Sequence, residues 1–114
     1  MKTKLLLIAI VLFSFTFANA QTYKEIEKKA KDQTEKMVKA LDLTDDQEVL
    51  IFRQNYSLLE QKSRFDKLED KTEQAKASMA NMQNEYKNNV EKLLTDEQRV
   101  VFAEWAEKSK MLKD

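Results

Sequence analysis

The sequence contains no cysteine, histidine, glycine or proline in its 114 residues. Without cysteine the chain can form no disulfide and no thiolate metal site. Without histidine it lacks the commonest metal ligand and the side chain most often used as a general base. Without glycine it lacks the usual residue of tight hairpin turns and of phosphate-binding loops. These absences argue against a sheet protein, a zinc protein and an enzyme, and we expect no metal and no cofactor.

A secretory signal peptide is predicted at the amino terminus. Two lysines precede an apolar run over residues 5–17, and an A-x-A cleavage pattern ends at Ala20. The apolar run is shorter than the ~20 residues that a membrane span needs. We therefore predict cleavage after Ala20, a single mature domain over residues 21–114, and no stable insertion into a membrane.

The charge balance of the predicted mature chain is close to neutral. Removing the leader takes away two lysines and no acid, so 20 basic and 20 acidic side chains become 18 and 20. A slightly acidic chain is a poor match for a polyanion, so we expect no nucleic-acid partner. The remaining 94 residues predict one domain with a thin core. Such a small chain often gains stability by forming a homodimer.

Hydrophobic periodicity predicts an all-α fold. Apolar or small residues recur at helical spacing over residues 23–41 and predict a first amphipathic helix. These residues are Tyr23, Ile26, Ala30, Met37 and Leu41. A last helix is predicted from Asp96 to about Leu112. Its predicted apolar face contains Val101, Phe102, Trp105 and Leu112.

Two capping boxes with the pattern T-x-x-Q mark predicted helix starts. Thr44 and Gln47 form the first box, and Thr95 and Gln98 form the second. In such a box the threonine side chain accepts a hydrogen bond from the amide three residues later, while the glutamine side chain reaches back to the threonine amide. A leucine precedes each box and two acids lie inside it, where the helix dipole favours negative charge.

A heptad repeat of mostly apolar residues connects the two boxes. One heptad position holds Ile51, Leu58, Phe65, Thr72, Met79, Tyr86 and Leu93, and another holds Leu68, Ala75 and Met82. The repeat predicts either one long helix or two helices folded into a hairpin. A capping box formed by Asp70 and Glu73 favours the hairpin, with a bend at residues 69–72. A single long helix would expose its apolar stripe in a monomer, although a dimer could cover it.

The paired motifs resemble those of the LTXXQ-motif family of periplasmic proteins, the Spy/CpxP group. The segments "LDLTDDQ" at 41–47 and "LLTDEQ" at 93–98 match its two signature motifs. The lead-in "TEKMVKALDLTDDQ" at 34–47 is similar to that of many short members, and the resemblance covers roughly residues 34–105. An architectural role is implied for the motif residues, which are Leu43, Thr44, Gln47, Leu94, Thr95 and Gln98.

The resemblance implies an all-helical fold of long, bent hairpins that dimerise antiparallel into a shallow cradle. It also implies a periplasmic, ATP-independent chaperone, a holdase, that binds unfolded envelope proteins. The alternative is an envelope-stress regulatory or structural interaction protein that docks one specific partner. This sequence departs from the family in two respects. Its predicted mature chain is near neutral, whereas the best-known chaperone members resemble basic cradles. It also lacks the histidine or cysteine ligands of metal-responsive members.

Candidate client-binding residues combine an aromatic stripe, the heptad repeat and nearby basic side chains. They are Phe52, Arg53, Tyr56, Leu59, Lys62, Arg64, Phe65, Lys67, Met79, Met82 and Tyr86. Methionine adapts its shape and tyrosine tolerates water, so both suit a surface that binds many partners. The basic residues could attract clients over long distances. Alternatively, the apolar residues form the core or a dimer interface, and the charges form an ordinary solvated face.

Overall fold

The computed structural model describes the backbone of residues 2–109 and 112, and the side chains of residues 22–109 and 112. Four helices lie in this part of the chain: α1 (Lys2–Leu41), α2 (Asp45–Asp66), α3 (Glu73–Leu93) and α4 (Asp96–Lys108). No strand occurs among the described residues, which confirms the predicted all-α class. Among residues 22–109 and 112, whose side chains the structure describes, no helix combines the length and the apolar character that a membrane span requires.

The helix predicted over residues 23–41 forms part of α1, which begins at Lys2 and ends at Leu41. The side chains of residues 1–21 lie outside the described range, so the signal peptide and its cleavage after Ala20 stay predictions. Four of the five residues predicted on the apolar face are buried, whereas Tyr23 is 41% exposed. After α1 ends, Asp42 adopts a positive φ of 55°. This position usually holds glycine, which the chain lacks, and aspartate is among the few other residues that tolerate it.

The helices α2 and α4 begin at the two predicted capping boxes, which confirms both starts. Thr44 Oγ1 accepts from the Gln47 amide at 3.2 Å, and Gln47 Oε1 accepts from the Thr44 amide at 3.0 Å. The second box has the same geometry, with distances of 3.2 and 2.9 Å between Thr95 and Gln98. Both threonines have the extended backbone that precedes a first helical turn.

The start of α3 differs from the prediction. Its N-cap is Thr72, so the predicted capping box of Asp70 and Glu73 is wrong. Thr72 Oγ1 accepts from the Ala75 amide at 3.1 Å. Glu73 is therefore the first helical residue and cannot be the third, as a box with Asp70 would need. The bend extends over residues 67–72, so α2 and α3 do not form one continuous helix.

The last helix is shorter than predicted, and Val101 of its predicted apolar face is exposed. α4 ends at Lys108, because Ser109 has an extended backbone with ψ of 129°. Phe102 is buried and stacks on the half-buried Trp105 at a centroid distance of 5.8 Å, whereas Val101 is 40% exposed. Ala106 lies one turn after Phe102 and is also buried, so the face that contains these two residues packs on the core and Val101 lies to one side of it. Leu112 lies beyond the helix and packs against the core from there.

The helices form a thin layer with α2 in the middle. α2 packs against α1 on one side and α3 on the other, while α4 packs against α1. α2 and α3 run in opposite directions, since Asn55 meets Tyr86 and Gln54 meets Asn89. The molecule measures 63 × 35 × 19 Å, and its shortest dimension is about two helix diameters. The main core cluster contains Met37, Leu41, Leu43, Ile51, Leu58, Met79, Tyr86, Val90, Leu94, Phe102 and Ala106.

Only part of the predicted heptad repeat contributes to this core. Its buried members are Ile51, Leu58, Met79 and Tyr86, and its half-buried members are Phe65, Ala75, Met82 and Leu93. Leu68 is 45% exposed, and Thr72 caps a helix at the surface. The repeat fails where the chain bends, because a heptad pattern describes facing helices and residues 67–72 are not helical.

A buried polar network joins the three long helices. The Asn55 side chain on α2 is fully buried. Its Nδ2 atom donates to Thr34 Oγ1 on α1 at 2.9 Å and lies 3.4 Å from Met37 Sδ. The Tyr86 hydroxyl on α3 donates to Asn55 Oδ1. Thr34 Oγ1 in turn donates to the Ala30 carbonyl at 2.7 Å. Burial raises the pKa of Tyr86 above its usual range, so the hydroxyl stays a donor. Such a satisfied network favours one alignment of the helices.

Replacing Tyr86 with phenylalanine should destabilise the fold by about 1–3 kcal/mol, because Asn55 Oδ1 would lose its donor in a buried site. Urea unfolding followed by circular dichroism measures this change. Tyr56→Phe is the matched control, since Tyr56 is half-buried, and its effect should stay within about 0.5 kcal/mol. Equal effects of the two substitutions would contradict a structural role for the network.

Candidate functional site

Gln47 and Gln98, the final residues of the two capping boxes, contact each other through their side-chain amides. Gln47 Nε2 donates to Gln98 Oε1 at 2.8 Å, and Gln98 Nε2 donates to Gln47 Oε1 at 3.0 Å. Each oxygen also accepts from the threonine amide of its own box. We call this reciprocal contact the glutamine pair. It joins the starts of α2 and α4 across 51 positions of sequence.

The same two amides also bind the ends of the other two helices. Gln47 Nε2 donates to the carbonyl of Leu93, the last residue of α3, at 2.9 Å. Gln98 Nε2 lies 3.2 Å from the carbonyl of Leu41, the last residue of α1, and 3.3 Å from that of Asp42. The last carbonyls of a helix have no partner within that helix. The glutamine pair therefore supplies donors to two helix ends and caps two helix starts at one point.

This geometry explains the chemistry of the repeated motif. Glutamate could complete a capping box as well as glutamine does, but a carboxylate has no N–H to donate to a neighbouring carbonyl. Leu43 and Leu94, which precede the two boxes, are 8% and 5% exposed and belong to the core. The repeat also extends beyond the motif, since Ile51 and Phe102 occupy equivalent places and are both buried.

The residues predicted to bind clients are distributed over separate parts of the molecule. Tyr86 and Met79 are 3% and 5% exposed, so within one chain both belong to the core. Arg53 is exposed on α2. Leu59, Lys62 and Lys67 border a groove of about 500 Å³ between α1 and the end of α2. This groove is lined by Thr22, Glu25, Ile26, Lys29, Leu59, Lys62, Ser63, Asp66 and Lys67.

Two further grooves lie where α2 ends and α3 begins, and we call them the tip grooves. Phe65 and Met79 border both of them. The first, of about 300 Å³, is completed by Gln61, Arg64, Leu68, Ala75, Ser78 and Met82. The second, of about 520 Å³, is completed by Lys62, Asp66, Lys71, Lys76, Ala80 and Gln83. Three lysines face one acid in the second groove, so its rim is basic.

Phe52 and Tyr56 lie apart from the tip grooves, on the side of α2 that faces α1. Phe52 borders a groove of about 390 Å³, which we call the α1–α2 groove. It is lined by Lys31, Thr34, Glu35, Glu48, Val49 and Phe52. The ring of Tyr56 has its centroid 6.2 Å from that of Phe52. Partial burial, then the charge of Glu60 and weaker effects of Tyr23 and Glu27, raise the pKa of Tyr56.

The charges near this aromatic pair differ from those that the sequence pattern predicted. Basic side chains were predicted to flank the aromatic stripe of Phe52, Tyr56 and Leu59, but carboxylates lie near Phe52 and Tyr56. Arg64 lies one turn from Glu60 and pairs with it at 2.6 Å. Helical position explains the difference, since Arg53 follows Phe52 directly and therefore points about 100° away from it.

Sequence reasoning missed several residues that border these surfaces. Thr34 and Glu35 lie on α1, and only the pairing of α1 with α2 brings them next to Phe52. Lys71 was also missed, and its Nζ lies 5.5 Å from the centroid of the Phe65 ring. A heptad pattern identifies apolar residues and carries no signal for the charged residues that helix packing places beside them.

Replacing Gln47 with glutamate should destabilise the fold by about 1–3 kcal/mol, measured by urea unfolding at neutral pH. The carboxylate can still accept from the Thr44 amide, but it cannot donate to Leu93 and it faces Gln98 Oε1. The substitution therefore separates the glutamine pair from the capping box.

The matched control is Gln54→Glu. Gln54 contacts Asn89 through its Oε1 atom, which accepts a hydrogen bond, and a carboxylate can accept in the same way. We expect it to change stability by less than about 0.5 kcal/mol. If Gln47→Glu were as stable as the original protein, Gln47 would act only as a helix cap.

Comparisons with known proteins yield no matching family, no matching curated protein and no matching solved structure.

Proposed function

We propose that this protein is an ATP-independent holdase of the periplasm that binds unfolded envelope proteins. The observation that carries the proposal is the pair of tip grooves, in which apolar side chains remain open beside charged rims. Leu68 is 45% exposed, and Phe65 and Met82 are half-buried. An unfolded chain presents apolar segments of many shapes, and methionine and aromatic side chains adapt to such segments.

The position of the tip grooves supports this proposal. The glutamine pair and α4 lie at the opposite end of α2, which is 22 residues and about 33 Å long. The tip therefore lies away from the glutamine pair and from α4. Client binding there would leave the buried network and the glutamine pair undisturbed, so the protein could stay folded while its clients remain unfolded.

The rim charges of the tip grooves suit weak and reversible binding. Lys71 lies over the Phe65 ring, and Lys76 pairs with Glu73 at 3.6 Å at the surface. Exposed charges act mainly on the rate of encounter and are screened by salt. Binding would then follow mass action, with a client released whenever its own folding competes successfully.

We further propose that two copies associate as an antiparallel dimer with a shallow, cradle-like surface. The support is the thin layer of helices, which leaves grooves open on more than one side of α2. Paired hairpins would enlarge the apolar surface available to a client. Sedimentation equilibrium tests this part of the proposal independently of chaperone activity.

The alternative is a protein that docks one specific partner in envelope-stress signalling. Its support is the buried polar network, since a surface held in one conformation can select one helix in a groove. Cross-linking in envelope extract separates the two functions. Many unrelated captured proteins would favour the holdase, whereas one stoichiometric partner would favour the alternative.

The purified protein should suppress light scattering from a chemically unfolded model client after dilution, without any nucleotide. Suppression is expected at near-stoichiometric amounts, because each client must be covered and nothing is turned over. Unrelated clients should respond alike, since the grooves offer apolar contact without a fixed pattern of donors. Scattering that stays unchanged with several clients, even when the protein is in excess over the client, would refute the holdase function.

A double substitution at the tip, Leu68→Asp with Met82→Gln, should raise the amount of protein needed for half-suppression several-fold. It places a charge and a polar amide in the first tip groove without touching the core cluster. The control is Val101→Asp with Val100→Gln, because these valines on α4 are 40% and 66% exposed and lie outside the tip grooves. Equal losses in the two variants would show that the tip is not the client surface.

A further inference from the structure

The α1–α2 groove has an apolar floor and an acidic rim. Val49 and Phe52 of α2 provide the apolar surface, and Val49 is 55% exposed. Glu35 on α1 and Glu48 on α2 stand on the two walls. Neither carboxylate forms an ion pair with any side chain that the structure describes. The basic residue of the lining, Lys31, already pairs with Glu27 at 3.4 Å.

The acidic character continues along the aromatic stripe. Tyr56 lies beside Phe52, and the charges of Glu60 and Glu27 both act on its hydroxyl. Each of these two acids has a basic partner one turn away on its own helix. The two carboxylates without such a partner are therefore Glu35 and Glu48, and both border the open part of the groove.

We propose that the α1–α2 groove binds a cationic amphipathic segment, in which lysine or arginine residues alternate with apolar ones. Charge complementarity selects this occupant, because the rim offers two unpaired carboxylates beside exposed apolar surface. An arginine or lysine could reach both walls while its apolar neighbours cover Val49 and Phe52. The faces of Phe52 and Tyr56 also attract cations.

This groove and the tip grooves thus suit different segments. The second tip groove carries Lys62, Lys71 and Lys76 around Phe65, and it suits apolar segments that carry acids. An acidic segment in the α1–α2 groove would face two like charges instead. The inference rests on the proposed holdase function, because the cationic segment would be part of a client.

The test measures binding of a fluorescently labelled, twelve-residue peptide of alternating leucine and lysine to the full chain by fluorescence anisotropy. A second peptide with glutamate in place of lysine controls for apolar contact. We expect the lysine peptide to bind at least about fivefold more tightly than the glutamate peptide at low salt, and the difference to shrink as salt rises.

The site is located by the double variant Glu35→Gln with Glu48→Gln. It should weaken binding of the lysine peptide about three- to tenfold, since two ion pairs near the surface are lost. The matched control is Glu104→Gln with Glu107→Gln, which removes the same charge from exposed positions on α4. The control should weaken binding less than twofold. Circular dichroism and urea unfolding confirm that both variants are folded.

A third substitution, Phe52→Leu, tests the apolar floor while keeping a large aliphatic side chain. If the aromatic ring provides only apolar surface, the substitution should weaken binding of both peptides by a similar small factor. If cation–π contact contributes, it should weaken binding of the lysine peptide more strongly. Either result agrees with binding in the groove. No change for either peptide would place the binding elsewhere and overturn the proposal.

The proposed site and the proposed function can fail separately. Suppression of scattering together with equal binding in the glutamate variants would refute the acidic groove and leave the holdase intact. Absence of suppression together with peptide binding that needs Glu35 and Glu48 would refute the holdase and leave the groove as a docking site. Equal affinity for the lysine and glutamate peptides would also refute the groove, whatever the scattering result.

Discussion

The contact between two glutamine amides holds the ends of all four helices in place. Each amide oxygen accepts from a helix start, and each amide nitrogen donates across to the end of a different helix. The other features depend on this junction, because it determines where α2 leaves α1 and where α4 returns over the core. The chain has no glycine or proline for special turns and no cysteine for disulfides, so side-chain hydrogen bonds fix the positions of its helix ends.

The small size of the fold links its stability to its surface. A layer about two helices thick has one core cluster, and the buried network of Asn55, Thr34 and Tyr86 sets the alignment of the three long helices within it. Such a layer cannot bury every apolar side chain of helices that are amphipathic along their whole length. The remaining apolar residues line the grooves, so the proposed client surfaces are a consequence of the architecture.

The charges divide this surface into two chemically different regions. Carboxylates border the α1–α2 groove, whereas lysines border the second tip groove. A chain whose total charge is balanced can therefore still offer local selectivity. For a holdase, two regions of opposite charge would broaden the range of segments that one surface can hold. For a partner-specific protein, they would define the orientation in which the partner docks.

The sequence by itself determined the all-α class, the two helix starts at Thr44 and Thr95, and most of the apolar face of α1, because caps and helical periodicity depend on residues only three or four positions apart. It misplaced the start of α3, where Asp70 and Thr72 are both suitable caps, and it placed the end of α4 too late. Tertiary structure alone decided that Gln47 meets Gln98, that Asn55 is buried, and that Glu35 and Glu48 share a groove. These contacts join residues 13 to 51 positions apart, and only the packing of whole helices against one another brings them together.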